Sequence, residues 1–384
     1  MVMTSLSEEQ IAFQDVINRA IVETSPVERA QKLDAAKTFD AELYRVLGEL
    51  GVLGLGVAEE DGGSGGTNIE QVVALRALAN RATSMAVFCV VQFLVTRLLK
   101  DNATAEQKRA FLAPLAAGRQ KASFCLTEAG GGTDILRAMK TTARADGGDY
   151  VINGAKMWIS GATTSDFYVV LARTAPGKTD GVSMFLVPSR AAGITAREID
   201  TFAINGYDTC QVFFDDVRVP AANLIGTEGR GFRQVLATLN SERINAAAVA
   251  IGIAQGAMEV AADYARERQA FGKSLAELQA VQHKLANVAT TVELAWTFLL
   301  ATAVRDDNGE PVDVASSMAK LAASNAAKLS ADVGMEILAS AAFDTASPMQ
   351  RYYRDHRLYS FAPLNDEMCR NLIAERYFGF GRGF

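Results

Sequence analysis

Two nearby stretches carry the side chains best suited to hold a ligand. The first reads Cys125-Leu126-Thr127-Glu128-Ala129-Gly130-Gly131-Gly132-Thr133-Asp134. Consecutive glycines flanked by Thr127 and Thr133 let backbone N–H groups converge on an anionic or carbonyl-rich ligand. The second, Tyr150-Val151-Ile152-Asn153-Gly154-Ala155-Lys156-Met157-Trp158-Ile159-Ser160, delivers an indole and a hydroxyl on either side of Ile159. A flat ring suits a planar heterocycle, and the hydroxyls of Thr127, Thr133 and Ser160 suit its polar edge. A third cluster, Arg268-Gln269-Ala270-Phe271-Gly272-Lys273, is followed by Gln279 and Gln282. The guanidinium fork of Arg268 matches a diphosphate. Plainer readings exist for each: a core tryptophan, threonines bonded to their own turn, a solvated arginine at a helix end.

The elements that must position these groups fall into three sections. From Ser7 to about residue 122, apolar residues recur at helical spacing (Tyr44, Leu47 and Leu50; Leu75 and Leu78), interrupted by the glycine-rich run Glu59 to Thr67. From residue 123 to 230 the period changes to two, as in Phe167-Tyr168-Val169-Val170-Leu171-Ala172 and Gln211-Val212-Phe213-Phe214, with turn signals between. From residue 231 to 384 the chain is again helical, with loops near Gly272 and Asn308. Helices, strands, then helices predict an α+β fold: an N-terminal helical domain (1–122), a central antiparallel β domain of barrel-like form (123–230) and a C-terminal four-helix bundle (231–384). Gly226-Thr227-Glu228-Gly229-Arg230-Gly231 lacks the spacing and setting of a dinucleotide-binding turn, which disfavours a nicotinamide cofactor.

Composition removes several classes. A net charge of −6 argues against nucleic acid as a partner, because phosphate neutralisation needs a basic face. Cys89, Cys125, Cys210 and Cys369 are far apart, so neither a metal site nor a disulfide framework is expected, and a reducing cytoplasm fits. The opening residues show no basic segment followed by an apolar run, so no secretory signal is expected. Met85 to Leu99 is apolar but shorter than the ~20 residues of a bilayer span. It carries Gln92 and Arg97, and is expected to be a buried helix rather than a membrane span.

Together, the Cys125–Asp134 and Tyr150–Ser160 motifs resemble the flavin-binding signature of the acyl-CoA dehydrogenase family. The resemblance continues through Phe214-Asp215-Asp216-Val217-Arg218-Val219-Pro220 and Pro348-Met349-Gln350-Arg351-Tyr352-Tyr353-Arg354-Asp355. It implies FAD as cofactor, contacted by Cys125, Leu126, Thr127, Gly132, Thr133, Trp158, Ile159 and Ser160. It also implies that Arg268, Phe271 and Gln279 reach the pyrophosphate and adenine of a neighbouring subunit's FAD, and hence a homo-oligomer, a tetramer of two dimers. The substrate implied is an acyl-CoA or acyl-carrier-protein thioester, in fatty or branched acyl metabolism, with an electron-transfer flavoprotein as acceptor.

The chain departs from the family pattern at its end. Ala339-Ser340-Ala341-Ala342 replaces expected glycines, and Ala362-Pro363-Leu364-Asn365 replaces the Tyr-Glu-Gly-Thr run that supplies many members' catalytic glutamate. Pro363 cannot abstract a proton, while Asn365 can still offer a polar contact to the flavin. Removing an α-proton beside a thioester needs a carboxylate within reach of that carbon. Glu242, on the first helix of the last section, matches the position of the base in isovaleryl- and long-chain-type relatives. Asp366 and Glu367 compete and rank behind it. The resulting expectation is α,β-dehydrogenation with Glu242 as base. The alternatives are a non-dehydrogenating flavin monooxygenase or desulfinase, and a silent flavin- or CoA-binding homologue.

Overall fold

The computed structural model describes residues 6–177, 179–381 and 383. Five helices open the chain: α1 (Glu8–Thr24), α2 (Val27–Ala35), α3 (Ala41–Glu49), α4 (Asn68–Arg81) and α5 (Thr83–Asn102). Their starts are set locally. Ser7 with Gln10, and Thr67 with Glu70, form reciprocal capping boxes that satisfy the first free N–H groups of α1 and α4. The Glu59–Thr67 loop then brings α4 back beside α5.

Eight strands follow: β1 (Ala122–Cys125), β2 (Thr142–Asp146), β3 (Asp149–Ser160), β4 (Phe167–Arg173), β5 (Val182–Pro188), β6 (Ile194–Glu198), β7 (Thr209–Pro220) and β8 (Leu224–Ile225). They hydrogen-bond in the order β6-β7-β3-β2-β4-β5-β8, with β1 on β4. The antiparallel expectation needs one correction, since β1 and β2 both run parallel to β4. The reason is connectivity. The glycine-rich loop, the β2–β3 hairpin and the turn after Ser160 all lie between β1 and β4, a connection long enough for a parallel crossover.

Alternation along β4 joins the sheet to the helices. Phe167, Val169 and Leu171 pack with Leu94, Val95, Leu98 and Leu99 of α5. Tyr168, Val170 and Ala172 turn instead into a second core shared with Phe185, Val187, Val212 and Phe214. The remaining long helices are Gly231–Glu267, Gln279–Asp307 and Asp313–Leu338, followed by the shorter Pro348–Asp355 and Asp366–Tyr377. Their apolar faces merge with α1, α3, α4 and α5 in one continuous core, so the two helical sections are a single packed body divided in sequence by the sheet.

The apolar segment around Met85 is longer than expected from sequence, because α5 has 20 residues. Thr83–Asn102, Gly231–Glu267 and Gln279–Asp307 are each long and apolar enough to cross a membrane by length and composition. The first two bury 72% and 78% of that apolar window inside the fold, but the third buries only 44%.

Ala339, where the sequence lacks glycine, closes the Asp313–Leu338 helix at φ 50°, ψ −129°. An L-residue is strained there, at a cost of roughly 1–3 kcal/mol. Ala339→Gly should therefore raise unfolding stability by about 1 kcal/mol in a urea titration; a neutral or destabilising result would show that the turn carries no such strain.

Candidate active site

The glycine-rich loop is fastened to β3 by a buried ion pair. Lys156 Nζ lies 2.9 Å from Glu128 Oε1 and also donates to the Leu126 carbonyl at 3.1 Å. Glu128 accepts the backbone N–H groups of Lys140 (2.6 Å) and Thr141 (3.0 Å). Burial pushes the Glu128 carboxyl up, but the Lys156 charge and these donors outweigh it and hold the group below its usual range. Met157 N–H donates to the Thr127 carbonyl at 2.9 Å, a further link between loop and strand. Gly154 permits the approach, since a Cβ there would lie 2.5 Å from Thr141 Oγ1.

Strict alternation would place Trp158 on the same side as buried Lys156. The structure places it elsewhere. Lys156 pairs with Val212 but Ile159 with Cys210, so β3 carries an extra residue against β7. Trp158 sits in this bulge at φ 62°, and its side chain is 57% exposed. A bulge re-aims one side chain while leaving its neighbours in register. Ile159 returns to the core and Ser160 is half-buried, its carbonyl accepting from Ser123 Oγ at 2.7 Å.

The other residues expected at a flavin divide by role. Cys125 and Ile159 have side chains fully inside the β core, so they can meet a ligand only through their backbone. Leu126 and Thr127 are half-buried, and Gly132 and Thr133 are exposed, with no atom within 4 Å of a Cβ built on Gly132. Asn365 Nδ2 reaches Thr133 Oγ1 at 3.3 Å while Asn365 Oδ1 caps the last helix through Met368 N–H at 2.7 Å. The C-terminal segment is thereby brought to the glycine-rich loop. A flat indole beside hydroxyls and a bare loop fits the planar, polar-edged ring of a flavin.

The Gly231–Glu267 helix packs its first turns on the sheet through Phe232, Val235 and Leu239. Glu242 follows one turn later. It is half-buried, and among the described residues it makes no ion pair and accepts no hydrogen bond. Burial pushes its carboxyl up to about 7, against the opposing charge of Arg243. The two competing carboxylates are otherwise engaged. Asp366 is buried, accepting from Lys320 Nζ at 2.8 Å and Ser324 Oγ at 3.1 Å. Glu367 points outward and pairs with Arg370 at 3.4 Å.

Arg268, Phe271 and Gln279 are not brought to this site. All three are exposed: Arg268 caps the far end of the same helix, Phe271 is 93% exposed on the small hairpin turn that follows, and Gln279 opens the next helix. Glu242 and Arg268 are separated by roughly 39 Å at 1.5 Å per helical residue. Val87, Phe88 and Phe93 of α5 are core residues, Phe88 packing edge-on against Phe39, Tyr44 and Tyr207.

With that geometry established, known proteins give a consistent match. Family models for the N-terminal, middle and C-terminal domains of acyl-CoA dehydrogenase match residues 7–119, 123–217 and 229–378. The chain belongs to the acyl-CoA dehydrogenase family. It is 33% identical over 375 residues to acryloyl-CoA reductase (NADH) of Anaerotignum propionicum, covering 96% of this chain and 94% of that protein. It is 36% identical over 349 residues to the mitochondrial short-chain specific acyl-CoA dehydrogenase of Homo sapiens, covering 90% and 84%. Among solved structures it resembles a glutaryl-coenzyme A dehydrogenase bound to glutaryl-CoA (TM-score 0.94, 28% identity, 99% and 98% covered). It also resembles a glutaryl-CoA dehydrogenase of Mycobacterium smegmatis in complex with FADH2 (TM-score 0.92, 26% identity, 99% and 96% covered).

Sequence reading missed the Glu128–Lys156 pair in this acyl-CoA dehydrogenase fold. The available signal was a lysine inside an otherwise apolar strand, which must find a carboxylate if buried. Lys156→Met leaves Glu128 buried without its partner and should cost about 3–5 kcal/mol of stability in thermal or urea unfolding. Lys156→Met combined with Glu128→Gln should cost less than the single change; a single variant as stable as the native chain would contradict the clamp.

Proposed function

We propose that the chain oxidises the α,β carbon–carbon bond of an acyl-CoA thioester with FAD, and that Glu242 removes the α-proton. The observation that carries the reading is one free, half-buried carboxylate, poised near neutrality, where the family's other base position is proline. A general base works best with a pKa near the operating pH. Substrate entry would remove remaining water from Glu242 and strengthen its drive to take a proton.

FAD, when bound, supplies the hydride acceptor for the β-carbon. Trp158 would flank its ring, the hydroxyls of Thr127, Thr133 and Ser160 would meet its polar edge, and Asn365 would close the site from the C-terminal side. The backbone N–H of Leu364, after Pro363, is positioned in sequence to polarise the thioester carbonyl. The acceptor of the electrons is proposed to be an electron-transfer flavoprotein. The substrate is a CoA thioester in preference to a carrier-protein thioester, as the names of the relatives above suggest.

We also propose that the chain works as a homotetramer. Two features support this: Arg268 at the far end of the Gly231–Glu267 helix, with Phe271 and Gln279 beyond it, lies too far from Glu242 to serve its own site, and the Gln279–Asp307 helix exposes Leu294 and Phe298. The four cysteines are all buried and unpaired, which suits a cytoplasmic setting.

An anaerobic panel of acyl-CoAs tests the activity through loss of the flavin's long-wavelength absorbance. Wild type should bleach with at least one thioester and Glu242→Gln should not. Unimpaired bleaching in Glu242→Gln removes it as base, while no bleaching alongside NAD(P)H-driven oxygen use points to a monooxygenase. Because the carboxylate is the working form, kcat/KM should fall as pH drops through about 7. The same raised pKa makes the ionised group a cost to the fold. Glu242→Gln should therefore be more stable than wild type at pH 8, with the difference vanishing towards pH 4; equal stability at pH 8 would contradict burial of the charge.

A further inference from the structure

Asp355 ends the Pro348–Asp355 helix and takes no part in the chemistry described above. It is 1% exposed and forms no ion pair among the described residues. Its one hydrogen bond there comes from the Ile204 N–H, which donates to Oδ1 at 2.8 Å. A buried carboxylate is costly and is retained where a donor depends on it.

That donor belongs to a strained residue. Ile204 lies in the loop between β6 and β7 at φ 59°, a left-handed conformation that a β-branched side chain resists. The helical body grips this loop at several points. Arg354 Nη1 donates to the Phe202 carbonyl at 2.5 Å, while its Nη2 pairs with Asp34 at 2.7 Å. Lys37 reaches Asp200 and donates to the Thr201 carbonyl at 3.0 Å. Gly206 lies so close to Thr38 that a Cβ would stand 2.7 Å from the Thr38 carbonyl oxygen. Of these grips, the Asp355 bond alone holds Ile204 itself.

From Ile204 the contacts lead to the strand that carries Trp158 and Ser160. The Ile204 carbonyl accepts the Tyr207 N–H at 3.3 Å. The Tyr207 ring covers Gly161, where a Cβ would lie 2.5 Å from Tyr207 Cε2. The Asp208 carbonyl accepts the Gly161 N–H at 2.8 Å, and its Oδ2 accepts the Thr163 N–H at 3.0 Å and the Thr163 hydroxyl at 2.8 Å. Thr209 then pairs with Ser160 in the sheet. The turn after Ser160 therefore rests on the residues that follow Ile204 in its own loop.

We infer that Asp355 is a positioning residue for the flavin: it holds Ile204 in its left-handed conformation and, through Tyr207 and Asp208, fixes the end of β3 where Ser160 meets the cofactor. This rests on the flavin site proposed above, and gives that site a support reaching it from the C-terminal helices.

The test measures FAD affinity by titration, with hydrogen–deuterium exchange of each purified chain beside it. Asp355→Ala should weaken FAD binding roughly tenfold, as for loss of a hydrogen bond to a charged group. It should also speed exchange both in residues 200–208 and in residues 160–165. Asp355→Asn, which keeps an acceptor without the charge, should restore both. Glycine takes the left-handed conformation without strain, so in an Ile204→Gly background Asp355→Ala should cost about twofold or less. Unchanged affinity in Asp355→Ala overturns the inference, as does faster exchange confined to residues 200–208. An equal loss in Asp355→Asn, or an undiminished one in the Ile204→Gly background, also overturns it by assigning the effect to charge or packing. If Asp355→Ala alone does not fold, the double variant decides: affinity within about twofold of Ile204→Gly supports the inference, and an unfolded or weaker chain overturns it. A wild-type chain that takes up no FAD would sink the flavin site separately, and exchange in residues 160–165 would still read the relay.

Discussion

Everything at the flavin-facing wall depends on one buried ion pair. Lys156 is completely enclosed, and its ammonium is satisfied only by Glu128 and the Leu126 carbonyl. Because Glu128 also takes the Lys140 and Thr141 N–H groups, a single carboxylate ties the two ends of the glycine-rich loop to the strand that crosses beneath it. The loop can then keep Gly130 and Gly132 exposed to a ligand without losing its place, while Gly131 packs too closely on Ala138 to carry a side chain. The same anchor lets β3 tolerate a bulge immediately afterwards, which is what turns Trp158 outward.

For the proton acceptor a different rule applies: which carboxylate is left free. Asp366 begins the last helix, but Lys320 and Ser324 consume its lone pairs, and Glu367 lies in solvent with Arg370. Of these three carboxylates, Glu242 alone combines partial burial, freedom from partners among the described residues and a place on the helix that packs against the sheet. On the proposed reading, Glu242 takes the role of base that Pro363 cannot fill. The Asn365–Thr133 contact holds the altered C-terminal segment against the glycine-rich loop.

Much of this was legible in the residues. The three sections, the strands around Phe167 and Gln211 and the glycine-rich loop follow from period, turn chemistry and residue type, whereas Glu242 came from the family resemblance. What escaped was non-local. Nothing near Met85 reveals that α5 extends to 20 residues and buries its apolar face against β4. The parallel pairing of β1 and β2 with β4 depends on how the intervening hairpin folds away. The outward turn of Trp158 contradicts simple alternation, because a bulge is set by strand pairing with β7 and not by the local sequence. Ala339 stands where the family pattern expects glycine, and the backbone there keeps a glycine-like shape with an alanine in it.

The central claim is that the Glu128–Lys156 anchor and the bulge present Trp158 to the flavin. The chain has two tryptophans, and Trp296 is buried against Arg76. In a Trp296→Phe variant, acrylamide quenching of the remaining tryptophan measures its exposure directly. The account predicts efficient quenching in the FAD-free protein and strong protection once FAD is added; equal quenching with and without FAD would contradict it.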